Sequence, residues 1–342
     1  MTKIRPAGAR ATIRDVAALA GVSAKSVSRV VNDQPGSSPA LRARVLVAIE
    51  RLDYRQDLTA SRLRRSDGKS ATIGFVLEDV SNPFSSALQR AVEDVAHLRS
   101  VRVLAGSSDE DADRERDLVG AFASRRVDGL MIVPCGHDHS YLLSERKAGT
   151  AIVFVDRRPS FFDADSVVAD NVGGVRQGIR HLIEHGHRRI AYLGDLQTIE
   201  TAALRYQGYR EELESQALPV DEGLVQLGVR SIDSAEAATT GQLSAAQPPT
   251  ALFTGQNLIT IGAYRALRKM GLQRRVALVG FDDILLADMV EPGITVIAQD
   301  PALMGRRAAE LLFRRLDGDH SPTVREVIPT RLIPRGSGEI EP

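Results

Sequence analysis

From Thr72 onward, short β-branched runs alternate with amphipathic stretches, and this alternation constrains the fold more than any other feature of the chain. TIGFVL, VRVLAG, GLMIVP, AIVFVD, RIAYLGD, LVQLG, ALFTG and VALVGF read as strands. Stretches such as SSALQRAVEDVAHLRS and NVGGVRQGIRHLIEHG read as the helices between them. Strict strand–helix alternation needs crossover connections, which give parallel sheets covered on both faces. Residues 71–342 are enough for two such α/β lobes. Ligands of these sheets sit beyond the carboxyl ends of the strands, which singles out Asp156 after AIVFV, Asp282 after VALVGF, Gln256 and Asn257 after ALFTG, and Asp79 after IGFVLE. Carboxylates and amides placed there can fix neighbouring hydroxyls by paired hydrogen bonds. A strand-end carboxylate satisfied by local backbone N–H groups is the competing reading for each.

The net charge of zero hides an asymmetry. Residues 1–70 carry 14 Lys+Arg and 6 Asp+Glu, an excess of +8, and the remaining residues carry the opposite excess. A basic arm on an acidic body suits an arm that meets a polyanion and a body that does not. Ile13, Val16, Ala17 and Ala20 share one helical face, and Thr12 with Asp15 forms a capping-box start. Gly21 stops that helix, Ser23 caps a second carrying Val27, Val30 and Val31, and Ser38-Pro39 starts a third with Leu41, Val45, Ile49 and Leu52 as its buried stripe. Two short helices joined through Ala20-Gly21-Val22 with a third across them make a helix-turn-helix, a pattern that also occurs in bundles binding nothing. The outer side of the second helix shows Ser23, Ala24, Lys25, Ser28 and Arg29, and no acid stands between Asp15 and Asp33. Hydroxyls and N–H groups at a helix start suit phosphates, and Lys and Arg reach guanine O6 and N7 in a major groove.

TIRDVAALAGVSAKSVSRVVN and VLVAIERLDY resemble the headpiece of the lactose-repressor (LacI/GalR) family of bacterial transcription regulators. The resemblance continues through ASRLRRS and IGFVLEDVSNPF to VGFDD, over nearly the whole chain. It implies a helix-turn-helix headpiece over residues 1–55, a hinge over 56–70 and a two-lobed, periplasmic-binding-protein-like (Rossmann-like) effector domain over 71–342. Within that domain, lobe 1 would hold about 71–169 and 299–327, and lobe 2 about 170–298 and 328–335. Ala24, Lys25 and Arg29 would face bases, while Thr12, Ser23, Ser28 and Asn32 hold phosphates. In the hinge, otherwise read as a flexible linker, Leu63 would wedge into the minor groove with Ala60 beside it. The family's usual Pro-Asn is Gln56-Asp57 here, which weakens the start of a hinge helix although Asp57 can still cap it.

For the body, the resemblance assigns effector contacts to Asp156, Arg205 and Asp282, with Phe84 as an aromatic wall, and the strand-end position adds Gln256 as a further effector candidate. Gln256-Asn257 replaces a common Asn-Asp, and Ser85 replaces a second aromatic, which disfavours a flat stacked base and leaves a sugar as the default effector. The implied partners are a pseudo-palindromic operator DNA, a sugar-like effector and a second copy of the chain, with no membrane and no cofactor. No leucine heptad closes the sequence, so a dimer is the expected limit.

Other signals are weaker. His181-Leu-Ile-Glu184-His185 matches H-x-x-E-H, but Gly186 follows at once and a strand after it, as at an ordinary βα helix end. His137 and His139 are expected to be solvated, and Cys135 to be a small packed thiol. Gly173-Gly174 and Gly178 do not make a dinucleotide fingerprint, and no Walker loop or nucleophile elbow is present. A non-enzymatic regulator is therefore expected, with a transport-type solute-binding protein as the alternative. One cysteine, no apolar leader and no apolar run near the roughly 18 residues of a membrane span point to the cytoplasm.

Overall fold

A computed structural model describes residues 11–31, 35–54 and 70–342. It divides into two compact units, Met1–Ser70 and Ala71–Pro342. Asn32, Ala60, Leu63 and the Gln56-Asp57 pair lie outside the described residues.

In the first unit, α1 (Ile13–Ala20), α2 (Ala24–Val31) and α3 (Pro39–Arg51) form a three-helix cluster. Thr12 and Asp15 close the capping box, with the Thr12 hydroxyl donating to Asp15 Oδ2 at 2.7 Å. Gly21 takes the left-handed conformation, φ +62°, that ends α1. Ser23 Oγ accepts the Ser26 N–H at 3.1 Å, and Ser38 Oγ accepts that of Leu41 at 3.3 Å. Val16, Ala17, Ala20, Val27, Val30, Val45 and Ala48 make the core. Leu41, Ile49 and Leu52 are only half-buried, so the inner face of α3 centres on Val45 and Ala48. Arg44 holds α3 to the turn, donating to the Ala20 carbonyl at 2.8 Å and that of Gly21 at 3.0 Å. These carbonyls have no partner within α1, and a guanidinium supplies one.

The second unit contains two six-stranded sheets. The first has the order β11-β5-β4-β3-β1-β2 and is parallel throughout. Its strands are β1 (Thr72–Leu77), β2 (Arg102–Ser107), β3 (Gly129–Ile132), β4 (Ala151–Asp156), β5 (Asp165–Ala169) and β11 (Arg325–Ile328). The second has the order β12-β10-β9-β8-β6-β7 and is parallel except where β12 meets β10. It comprises β6 (Ile190–Leu193), β7 (Val225–Gln226), β8 (Ala251–Thr254), β9 (Ala277–Phe281), β10 (Thr295–Ala298) and β12 (Arg331–Ile333).

In both sheets the chain reverses its winding beside the first strand, so β1/β3 and β6/β8 are topological switch points where a crevice opens at the carboxyl ends. The strands β1, β3, β6, β8 and β9 are buried almost end to end, as strands covered on both faces must be. Helix Pro301–Leu316 comes from the second sheet's last parallel strand yet packs Met304, Ala308, Leu311 and Leu312 into the first sheet's core. It lies so close to helix Pro83–Leu98 that a Cβ on Gly305 would meet the Leu88 carbonyl oxygen at 2.5 Å. No helix among the described residues is long and apolar enough to cross a membrane.

His139 departs from its expected place. It is 1% exposed, its Nδ1 accepting the Ser160 N–H at 3.0 Å and its Nε2 reaching the Cys135 carbonyl at 3.1 Å. The neighbouring Glu115 is buried as well, bound by the Cys135 N–H and the Tyr141 hydroxyl, and the cluster folds the loop inward. His137 is exposed. Burial, with the Glu115 carboxylate nearby, pushes the Cys135 thiol up to about 12, so it stays an inert packed group at neutral pH.

Candidate functional site

On the headpiece, Thr12, Ser23, Ala24 and Lys25 are exposed, while Ser28 and Arg29 are half-buried. The Lys25 and Arg29 side chains therefore lie outside the apolar cluster, on the rim of α2. The Thr12 hydroxyl already serves Asp15, and the Ser23 hydroxyl already serves Ser26, so each must share or exchange a bond to hold a phosphate. Arg29 Nη1 lies 3.5 Å from the Gly36 carbonyl, a weak tether that a stronger acceptor can outcompete.

In the second unit, Phe84, Asp156, Arg205, Gln256 and Asp282 come from five separate segments and line one cleft. It opens between the carboxyl ends of the two sheets, at both switch points. Asp156 and Asp282 occupy corresponding strand ends, one on each sheet, with φ of +71° and +73°. Left-handed backbone at a non-glycine residue is uncommon, though Asp tolerates it better than most. Both aspartates are more than nine-tenths buried.

Arg205 is engaged on several sides. Its Nε donates to Asn171 Oδ1 at 2.7 Å and its Nη1 to the Gly255 carbonyl at 2.8 Å, and its guanidinium lies 3.9 Å from the centre of the Phe281 ring. Nη1 also stands 3.9 Å from Asp282 Oδ2. A guanidinium locked on this many sides is pre-oriented, so the order that a ligand contact requires is already present. Gln299 Nε2 donates to Asp282 Oδ1 at 2.6 Å, and Gln256 caps its helix by accepting from Leu258 N–H while its amide reaches Asp195 at 3.3 Å.

Several wall residues escaped the sequence reading. Arg157, next to Asp156, forks onto Glu110 at 2.5 and 2.8 Å. Glu78, at the end of β1, neighbours the noticed Asp79. Burial raises the Glu78 carboxyl to about 7, against the pull of Arg157 and with help from Glu110, Asp156 and Asp79. Burial also raises Asp156 above the ordinary carboxylate range, and Asp195 likewise. The strand-end rule could have found Glu78, since it follows β1 directly; Glu110 and Arg157 carry no signal in sequence, because only folding brings them together.

The cavity measures about 90 Å³, below the roughly 300 Å³ of ordinary ligand pockets. Asn257 Nδ2 donates to Asn82 Oδ1 across the gap at 2.8 Å. On one flank the backbone N–H and Nε of Arg158 both donate to Glu200, at 2.7 and 2.8 Å. His181, from the H-x-x-E-H run, binds Glu339 at 2.5 Å, and His185 turns its Nδ1 to the His181 carbonyl. No group of metal-ligating side chains occurs among the described residues.

Residues 12–57 match the bacterial regulatory proteins of the lacI family, and residues 179–338 match a periplasmic binding protein-like domain. The transcriptional regulator CelR of Thermobifida fusca is 35% identical over 341 residues, covering 96% of this chain and 98% of that one. GalR of Escherichia coli (strain K12) is 32% identical, covering 96% and 95%. Among solved structures, a CelR–cellobiose complex is 34% identical with a TM-score of 0.71, covering 96% and 100%. The lac repressor dimer bound to operator and the anti-inducer ONPF is 25% identical with a TM-score of 0.83, covering 96% and 99%. A basic helix-turn-helix, two doubly wound lobes around a polar cleft and relatives matched along nearly their full length agree: the chain belongs to the lacI family of bacterial regulatory proteins, which are DNA-binding transcription regulators.

Proposed function

We propose that this protein is a homodimeric repressor that grips a pseudo-palindromic operator with α2 of each copy and responds to a sugar held between the lobes. Lys25 and Arg29 contribute base contacts, Ala24 a methyl contact, and Thr12, Ser23, Ser28 and Asn32 phosphate contacts. Ala60 and Leu63 belong to a hinge that enters the minor groove. Phe84, Asp156, Arg205, Gln256 and Asp282 hold the effector. It performs no catalysis and acts in the cytoplasm.

The observation that carries this reading is the convergence of five residues chosen from sequence, from strand ends and helices of both sheets, on one polar cleft at both switch points. The operator-bound lac repressor, alike over 96% of this chain, and CelR, solved with cellobiose, support the two halves of the assignment. Exposed Leu285 and Met289 supply apolar surface for a second copy. The effector acts only through a difference in affinity between the DNA-competent and DNA-incompetent states.

Gel shifts against fragments of the source genome test the reading. Site-specific binding that weakens steeply with salt is expected, as is release by a sugar. Arg29→Ala is expected to erase the preference for the specific site over random DNA, and unchanged selectivity would contradict the assignment of α2.

A further inference from the structure

Six carboxylates line the cleft: Glu78, Asp79, Glu110, Asp156, Asp195 and Asp282. Among the described residues, three cations line it with them, Arg157, Arg205 and Arg230. Each arginine is engaged: Arg157 with Glu110, Arg205 near Asp282, and Arg230 with Asp195 at 3.5 Å. Asp79 is bound by the N–H and hydroxyl of Ser81. That leaves Glu78 and Asp156. Neither carboxylate accepts a hydrogen bond from any described residue, although Asp156 is only 7% exposed. Its nearest cation is Arg157 Nε at 3.4 Å, and that N–H itself has no hydrogen-bond partner. Gln299 Oε1, on the same wall, is a fourth group without one.

Buried polar groups lacking partners are costly in an empty protein and are satisfied by what binds there. Three of these four groups are acceptors, and two of the three are carboxylates in surplus negative charge, so the missing partner chiefly donates hydrogen bonds and brings no negative charge. Resting on the effector reading above, we propose that the cleft takes a polyol without any anionic group, its hydroxyl or amine donors directed at Glu78 and Asp156, and that these two carboxylates reject sugar phosphates and sugar acids. The raised Glu78 and Asp156 carboxyls agree, since burial first, and the neighbouring carboxylates after it, disfavour added negative charge on this wall. An anionic ligand would stand against this field in a site partly closed to water, where charge repulsion is weakly screened.

The test uses the full-length dimer and matched sets that differ in charge at one position: D-glucose, D-glucosamine, D-glucose 6-phosphate and D-glucuronic acid; D-ribose and D-ribose 5-phosphate; cellobiose and cellobionic acid. Thermal shift and release of bound operator are read at fixed ionic strength near pH 8. Responses confined to neutral or amino members, with anionic counterparts weaker by about tenfold or more, are expected. A response to an anionic member matching its neutral partner overturns this proposal and leaves the sugar reading intact. Silence across every set removes the sugar reading and this inference with it. Glu78→Gln is then compared using the responding set: affinity for the neutral member falls, because its donor loses a carboxylate acceptor, while affinity for the anionic member rises by about tenfold, so the discrimination between them collapses. Equal anionic affinity in the variant and the parent overturns the role given to Glu78.

Discussion

Glu78 titrates where cells live. The folded protein keeps its proton up to about pH 7, whereas the unfolded chain releases it near 4.5. Over that interval the native state binds more protons than the unfolded one, so this residue makes stability fall as pH rises. Glu78→Gln removes the effect, and the variant is expected to gain about 3 kcal/mol on the parent near pH 8 and nothing near pH 4, read from urea unfolding at both values. A gain independent of pH would contradict this origin. Arg205 is the other pivotal side chain. Arg205→Ala leaves Asn171 and the Gly255 carbonyl without their donor and should cost about 2–4 kcal/mol of stability while abolishing release of DNA by the effector. An unfolding titration checks the first effect and a gel shift with effector the second. Both aspartates and Arg205 were legible in sequence, through position at a strand end or through resemblance. Glu110 and Arg157 were not, because their bidentate contact joins segments that no spacing rule connects.

The eight strand candidates read from sequence all became strands, because continuous β-branched runs bounded by turns have few other folds. β5, β10, β11 and β12 were missed. DSVVA begins with a charge, TVIA is four residues long, and REVI and RLI are short and partly polar edge strands. Such segments are recruited by neighbours already in place. β7 came out shorter than its LVQLG run, at Val225–Gln226, since it pairs on one side only. The packing of helix Pro301–Leu316 on helix Pro83–Leu98 was likewise invisible, and it depends on Gly305. Gly305→Ala places a Cβ against the Leu88 carbonyl and forces the helices apart. It should lower the midpoint of urea unfolding by an amount equal to about 1–3 kcal/mol, despite alanine's better helix propensity. A stabilised variant would show that the contact relaxes freely.

At the level of the second unit, polar pairs such as Asn257–Asn82 and Arg158–Glu200 cross the cleft. The Arg158–Glu200 pair is half-exposed, and such pairs are worth about 0.2–1 kcal/mol. A double-mutant cycle of Arg158→Ala and Glu200→Ala, read by unfolding, is expected to return a coupling in that range. A much larger value would mean that this flank locks the lobes, not merely guides them. From the sequence alone came the kind of molecule this is: a basic helix-turn-helix, a body of alternating strands and helices, and strand-end polar groups that line a cleft. These follow from periodicity, caps and charge, which act over a few residues and survive in one dimension. The tertiary structure decided which carboxylates go unanswered, how far the cleft is closed, and that His139 is buried. Each of these depends on distances between segments remote in the chain, which are fixed only when both sheets and their crossing helices pack together.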